Sequence, residues 1–475
     1  MDFNLILTLF TLLLFWALLF AVRLRLSFIH IMSFILSQNL VGIYLLGASQ
    51  PIFVPAHNFE ASQQSLLQQS FLPVHIFEAG LLAFAIGIVG GVLMHPRRYR
   101  QTPANMDVSL VQQSNAFWVL LIVGVPVLTL GIMLFVLNGV PFLSENANEL
   151  RFTITEGNGV FWRLQEFGIP MLVVLAGVYV FGAKKPLGSL KILFFVFLAT
   201  MLVTSVMRGH KGGLLYGLYW VVVLVLVTNR TKTVPKKWFV VAPILLVFSC
   251  GIILIATQRG LDLSTQQATQ WLVERVTILE AQGFYSIVQY YVPAQGFQYG
   301  LGQWPSILAL LATFRLLPRG TDQLELGTQV SHYLTGIPPS LDTLVFPLTV
   351  TPFGDFYVDF GVPGVVIGGI LLGLFAAWLY RTAILATPSL WKAVLIALQV
   401  EMVLYASRGS LFGRVNNEIL SWSVVVAAYF CVYWLFRNFA ARPVNPLRLP
   451  TATYATTEDS GEQHSNASVG TPGKG

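Results

Sequence analysis

The stretch Leu72-Pro-Val-His-Ile-Phe-Glu78-Ala-Gly-Leu-Leu-Ala-Phe-Ala-Ile-Gly-Ile-Val-Gly-Gly-Val-Leu93-Met94, followed at once by His-Pro-Arg97-Arg98-Tyr-Arg100, decides the fold. A helix needs about 20 mostly apolar residues to cross the hydrocarbon of a bilayer. Residues 73–94 supply that length with Glu78 as their one charged side chain. Three arginines then mark one end, the bias that keeps a loop on the cytoplasmic side. The pattern recurs at 4–22, 26–46, 117–137, 167–182, 190–207, 212–228, 238–256, 356–380, 391–406 and 419–436. The chain therefore reads as an all-α, polytopic membrane protein of about eleven transmembrane helices. The fifth and seventh spans are short and read as kinked or partly re-entrant.

Composition agrees. Of the 475 residues 55% are apolar and 10% charged, against about 25% charged in a soluble domain, and the mean hydropathy is +0.70. So little charge cannot cover a water-facing surface. Residues 1–22 have no Lys or Arg ahead of the apolar run, while Arg23 and Arg25 follow it, so this stretch reads as a retained first helix and not a signal peptide. Cys250 and Cys431 both lie in apolar runs, and no Cys/His cluster has metal-ligand spacing. No metal site and no cofactor are indicated.

Charge alternates from one connection to the next. The loops after spans one, three, five, seven, nine and eleven carry 18 Lys+Arg and 4 acids, while the opposite side carries 10 Lys+Arg and 15 acids. By the positive-inside rule the first set is cytoplasmic, with the N-terminus external and the C-terminus cytoplasmic. The excess of positive charge thus reports orientation, and nucleic acid is not implied. Residues 1–436 form the transmembrane domain, with long external loops at 138–166 and 257–355, and 437–475 form a cytoplasmic tail of disordered composition. In the second loop, Trp271 to Tyr291 has the apolar period of an amphipathic helix, ended by Pro293 and the glycines that follow. Trp304 to Leu317 is apolar but short, as an interfacial helix would be.

Cations on the external side run against the topological bias, so they are the informative residues. One short connection reads Ser205-Val-Met-Arg208-Gly209-His210-Lys211-Gly212-Gly213, and a second reads Ala406-Ser407-Arg408-Gly409-Ser410-Leu-Phe-Gly413-Arg414. Arginine offers a planar fork of donors suited to phosphate, and lysine adds a point charge. Such loops suit the diphosphate of a lipid-linked molecule. The alternative is that Arg208, Lys211, Arg408 and Arg414 meet lipid headgroups or pair with the external acids. Asp355 and Asp359, four apart at the start of span nine, are candidates for a base that activates a hydroxyl, or for capping the helix and pairing with loop arginines. His332 is the one histidine of the long loop, either an acid/base group or a structural imidazole. Glu78 and Glu401 lie inside spans, where a carboxylate is costly and needs a partner, His75 being one for Glu78.

Three segments carry a likeness to a known family. They are Asn148-Glu-Leu-Arg151-Phe152, Met207-Arg208-Gly209, and Gly300-Leu-Gly-Gln-Trp-Pro through Leu317-Pro318-Arg319 with Thr351-Pro-Phe-Gly-Asp355-Phe-Tyr-Val-Asp359-Phe-Gly361-Val-Pro-Gly364. Here the chain resembles the oligosaccharide repeat-unit polymerases, or O-antigen polymerases. It departs from them after Pro318-Arg319, where Gly320-Thr-Asp322 stands in place of a lysine. The resemblance implies a membrane-glycosyltransferase-like (GT-C-like) fold in the bacterial cytoplasmic membrane, with a long external helical loop. It implies metal-independent glycosyl transfer at the outer face, joining glycans carried on undecaprenyl diphosphate into a polysaccharide. Lipid, a flippase and a chain-length regulator are the implied partners. Arg208, Arg408, His332 and Asp355 are then the candidate catalytic groups, and Arg151, Lys211, Arg275, Arg319 and Arg414 the candidate substrate-binding ones. Competing readings are an O-antigen ligase, a polysaccharide or lipid exporter, and an envelope scaffold.

Overall fold

The computed structural model describes residues 3–22, 24, 27–48, 70–94, 108–144, 150, 159–183, 185–208, 220, 224, 251, 264–274, 280–313, 316–318, 320, 324–338, 348–385, 390–407 and 409–440. It is 87% helix with no strand among those residues. In a bilayer this is the expected outcome, because a helix satisfies its backbone donors and acceptors within one segment.

The helices are α1 (Phe3–Ala21), α2 (Phe28–Ala48), α3 (Leu72–Leu93) and α4 (Leu110–Asn138). In α5, Gly159–Arg163 runs through a π turn, Leu164–Gly168, into Ile169–Gly182. α6 is Gly188–Met207 and α7 is Thr265–Glu274. In α8, Glu280–Ser286 continues through a second π turn, Ile287–Tyr291, into Val292–Gln295. The remainder are α9 (Trp304–Thr313), α10 (Leu326–Thr335), α11 (Thr351–Leu385), α12 (Leu390–Ala406) and α13 (Leu411–Ala440). Among the described residues seven helices are long and apolar enough to cross a membrane: α1 to α6 and α11. They coincide with the spans read at 4–22, 26–46, 73–94, 117–137, 167–182, 190–207 and 356–380. α12 and α13 cover 391–406 and 419–436. The readings at 212–228 and 238–256 fall outside the described residues except for Trp220, Leu224 and Gly251, each helical, and the tail from 441 onward lies outside them entirely.

Local chemistry sets several boundaries. Ser109 and Gln112 form a reciprocal capping box at the start of α4, the Gln112 amide donating to Ser109 Oγ at 3.2 Å. Gly139, at φ 84°, closes the other end. The short fifth span contains a π turn at Leu164–Gly168, one of the recognised sources of helix irregularity. Of the stops read after Tyr291, a glycine and not Pro293 ends α8. The wider turn at Ile287–Tyr291 lies directly before the proline, and the helix continues to Gln295, where Gly296 at φ 79° stops it.

α5 lies at the centre and α1 at the edge: 78% of the span in α5 is buried against 22% in α1. The outward faces carry Phe10, Leu13 and Phe20 on α1, Ile192 and Phe195 on α6, and Ile367 and Trp378 on α11. A contiguous apolar exterior of this kind needs lipid as its solvent.

The tightest helix pair is α3 against α11. A Cβ placed on Gly87 would lie 2.2 Å from the Ile370 carbonyl oxygen, and one on Gly373 would lie 2.2 Å from that of Phe84. Small residues at a membrane helix interface permit backbones to approach this closely. α11 is itself bent at Gly361 (φ 63°, ψ −149°), two residues before Pro363. Replacing Gly87 by Ala is expected to lower the thermal unfolding temperature in detergent, with overpacking costing about 1–3 kcal/mol. Gly90→Ala is the control, because its nearest neighbour would be 4.0 Å away. Equal behaviour of the two variants would contradict the close α3–α11 contact.

Candidate functional site

The start of α11 gathers the motif-bearing segments. Asp359 Oδ1 accepts the backbone N–H of Gly300 at 3.1 Å and of Gly302 at 2.8 Å. The Gln298 and Tyr299 amides also donate to the carbonyls of Val358 and Asp359 at 2.9 and 3.0 Å. The glycine segment that precedes α9 is thus tied to α11, and Gly300 (φ 90°) takes a backbone conformation that glycine accommodates without strain. These hydrogen bonds reach another segment from the third turn of α11, and so differ from a cap on its own helix, the structural alternative that the sequence suggests for Asp359.

Asp355 lies one turn earlier and is fully buried. Its Oδ2 accepts the backbone N–H of Leu411 at 2.7 Å, and Ser410 also hydrogen-bonds its side chain. Oδ1 has no hydrogen-bond partner among the described residues. Asp355 therefore holds the connection between α12 and α13, the one to which Arg408 belongs. From the other side Asn39 on α2 donates to the Ser407 carbonyl at 3.1 Å. This turn is thus held by both α2 and α11.

Arg208 caps the end of α6 and is buried, with 8% of its side chain exposed. It forms an ion pair with Glu166 in the π turn of α5. Its guanidinium carbon also lies 5.8 Å from the ring centre of Trp162, within the range of cation–π attraction. Arg163 approaches the same indole at 5.9 Å. The indole Nε1 is buried and has no hydrogen-bond partner among the described residues, nor has Oε1 of the neighbouring Gln165.

His332 sits on α10 and is 2% exposed. Its Nδ1 lies 3.2 Å from the Ile337 carbonyl. A carbonyl only accepts, so this ring nitrogen carries the proton when the bond forms, and Nε2 becomes an acceptor. Nε2 has no partner among the described residues. Beside it runs a neutral polar chain. Gln298 Nε2 donates to Tyr291 Oη at 3.2 Å, and Tyr291 donates to Gln329 Oε1 at 2.9 Å. Burial holds the Tyr285 and Tyr291 phenols above their ordinary range, so both remain neutral hydroxyls at physiological pH.

Within the bundle, Glu78 accepts from Thr8 at 2.8 Å and lies 3.1 Å from His75 Nδ1, the pairing read for it in the sequence. Arg151, Lys211, Arg275, Arg319 and Arg408 lie outside the described residues, and Arg414 is described only as a helical position in α13. α13 packs against both the π turn that carries Glu166 and α11, and so links the Arg208 and Asp355 neighbourhoods. Among the described residues no group of three or more His, Cys, Asp or Glu side chains could hold a metal.

The sequence reading passed over Trp162, Arg163 and Glu166. Their signal is there, since Trp162-Arg163-Leu-Gln-Glu166 puts an aromatic and an acid four apart at the mouth of a span. A π turn, however, leaves no trace in periodicity.

Asp359→Ala should loosen the 298–304 segment, each lost charge-assisted hydrogen bond costing about 1.5–3 kcal/mol. Hydrogen exchange should accelerate at the Gly300 and Gly302 amides, while Asp359→Asn, which keeps an acceptor oxygen, should retain most protection. Unchanged exchange in the alanine variant would contradict the tie between Asp359 and this segment. The chain matches no family model, no curated protein and no solved structure, so its own residues carry the functional reading.

Proposed function

We propose that the protein is a membrane glycosyltransferase that polymerises oligosaccharide repeat units carried on undecaprenyl diphosphate. On this reading it crosses the bacterial cytoplasmic membrane about eleven times in a GT-C-like arrangement, with its N-terminus external and its C-terminus cytoplasmic. The observation that supports it best is Arg208. A buried guanidinium is stationed at the end of α6 away from the Lys/Arg-rich connections, with an aromatic and an acid as its neighbours. A cation costs free energy in such a place, and a phosphate-bearing lipid at the outer leaflet gives that cost a use.

The chemistry is a displacement. An acceptor hydroxyl oxygen bonds to the anomeric carbon of the donor glycan, and the bond from that carbon to the diphosphate oxygen breaks. The diphosphate leaves with the bonding pair, and fixed cations stabilise the charge it gains. Arg208 and Arg408 take that role, with Arg151, Lys211, Arg275, Arg319 and Arg414 along the lipid-linked substrates. The hydroxyl proton passes to a base, for which Asp355 Oδ1 and His332 Nε2 are the acceptors on hand. Glycan recognition falls to the long external loop, where Tyr291, Gln298 and Gln329 supply neutral donors and acceptors. Flippase and chain-length-regulator proteins are the expected partners.

Deletion of the gene, followed by analysis of surface glycans, tests this directly. Single repeat units without long chains are expected. Accumulation of unattached long chains would assign a ligase instead, and unchanged glycans would remove both. Arg208→Ala should reduce chain extension by about a hundredfold or more, the scale of losing one charge-stabilising donor, with protein abundance maintained. Normal extension would refute the assignment of Arg208.

A further inference from the structure

The pair formed by Arg208 and Glu166 has a feature that diphosphate binding alone does not require. Glu166 supplies a carboxylate where a ligand anion would sit, and it does so from a π turn. Single-turn π segments inside α-helices occur frequently at functional sites. Around the pair stand two further groups suited to an anion. The guanidinium carbons of Arg163 and Arg208 lie 5.9 and 5.8 Å from the centre of the Trp162 ring. The Trp162 Nε1–H is a buried donor with no partner among the described residues. Such a donor is costly to leave unmade, and a phosphate oxygen would satisfy it.

We infer that Trp162, Arg163 and Arg208 form one phosphate-binding subsite, and that Glu166 is its internal stand-in. Glu166 pairs with Arg208 in the unliganded protein and gives it up when a diphosphate arrives. This rests on the assignment of Arg208 to diphosphate made above and adds a competitor, a new donor and a second cation to it. The physical need for the stand-in is clear. A guanidinium 8% exposed would be strongly unfavourable without a counter-charge. A carboxylate supplies one while leaving the ligand only a moderate barrier to displace, because Glu166 itself is 20% exposed and can turn toward water. The Trp162 ring keeps the guanidinium in place during the exchange. Affinity in the resting protein is therefore lowered by the fraction of molecules in which Glu166 holds the site. This favours release of the diphosphate after transfer as well as tempering its capture.

The test is binding of farnesyl diphosphate, and of inorganic pyrophosphate, to detergent-purified protein by calorimetry. Glu166→Gln should bind both probes about tenfold more tightly than the unaltered chain. Glu166→Gln combined with Arg208→Gln should lose that gain, and Trp162→Phe, which keeps the ring and deletes the donor, should weaken binding several-fold. If the unaltered chain binds, Arg208→Gln abolishes binding, and Glu166→Gln binds equally or more weakly, the stand-in is overturned while the assignment of Arg208 survives. Absence of binding in both the unaltered chain and Glu166→Gln would overturn both. A gain seen with phosphatidylglycerol in nanodiscs and with neither diphosphate would keep the exchange at a phosphate but assign it to a lipid headgroup. Should Glu166→Gln fail to yield monodisperse protein, Glu166→Asp carries the same test, since its shorter reach weakens the competitor. Tightening is again expected, and its absence again overturns the stand-in.

Discussion

A guanidinium cannot remain almost buried at the end of a membrane helix unless an opposite charge meets it there. Arg208 is met by Glu166, and much of the surrounding structure follows from holding that pair. Glu166 reaches the end of α6 from α5, the most enclosed span. α5 is irregular where it does so, with the π turn at Leu164–Gly168. Trp162, four residues before Glu166, covers the guanidinium from one side. α4 and α13 pack against the turn. The central helix is thus shaped at its mouth around a charge.

The second organising feature is the entry to α11. The glycine contacts that press α3 onto α11 fix that helix in the bundle, and the bend at Gly361 separates its first turns from the rest. Those first turns carry two carboxylates with different work. Asp359 spends its oxygen on the amides of Gly300 and Gly302, which fastens the segment ahead of α9 to α11. Asp355 uses one oxygen on Leu411 and thereby holds the α12–α13 turn. Two connections that are far apart in sequence are therefore anchored within about one helical turn of each other. Helix packing and the placement of these polar groups are the same problem in this protein.

The membrane fold was legible because its cause is one-dimensional. A run such as Leu72–Leu93 needs only length and lack of charge to declare a span, and among the described residues seven such helices stand where the runs occur. The pairing of Glu78 with His75 was equally readable, three residues apart on one helix face. What stayed hidden was three-dimensional or irregular. Pro293 reads as a helix stop, yet the π turn before it lets α8 continue. Asp359 reads as a possible base, and its hydrogen bonds to an amide pair 57 and 59 residues away are invisible in the chain. Arg208 was found from its position against the topological bias, but its partner was not, because Glu166 sits in a loop by composition and in a helix by structure.

The account depends on cations being held on the external side of the membrane, where a lipid diphosphate can reach them. Single cysteines introduced at 205–213 and 406–414, in a chain lacking Cys250 and Cys431, measure this through labelling of intact cells by a membrane-impermeant maleimide. The account predicts labelling at both connections and none at 97–100 until the membrane is opened. Protection of both connections, with labelling at 97–100, would invert the topology and leave the proposed mechanism without a substrate.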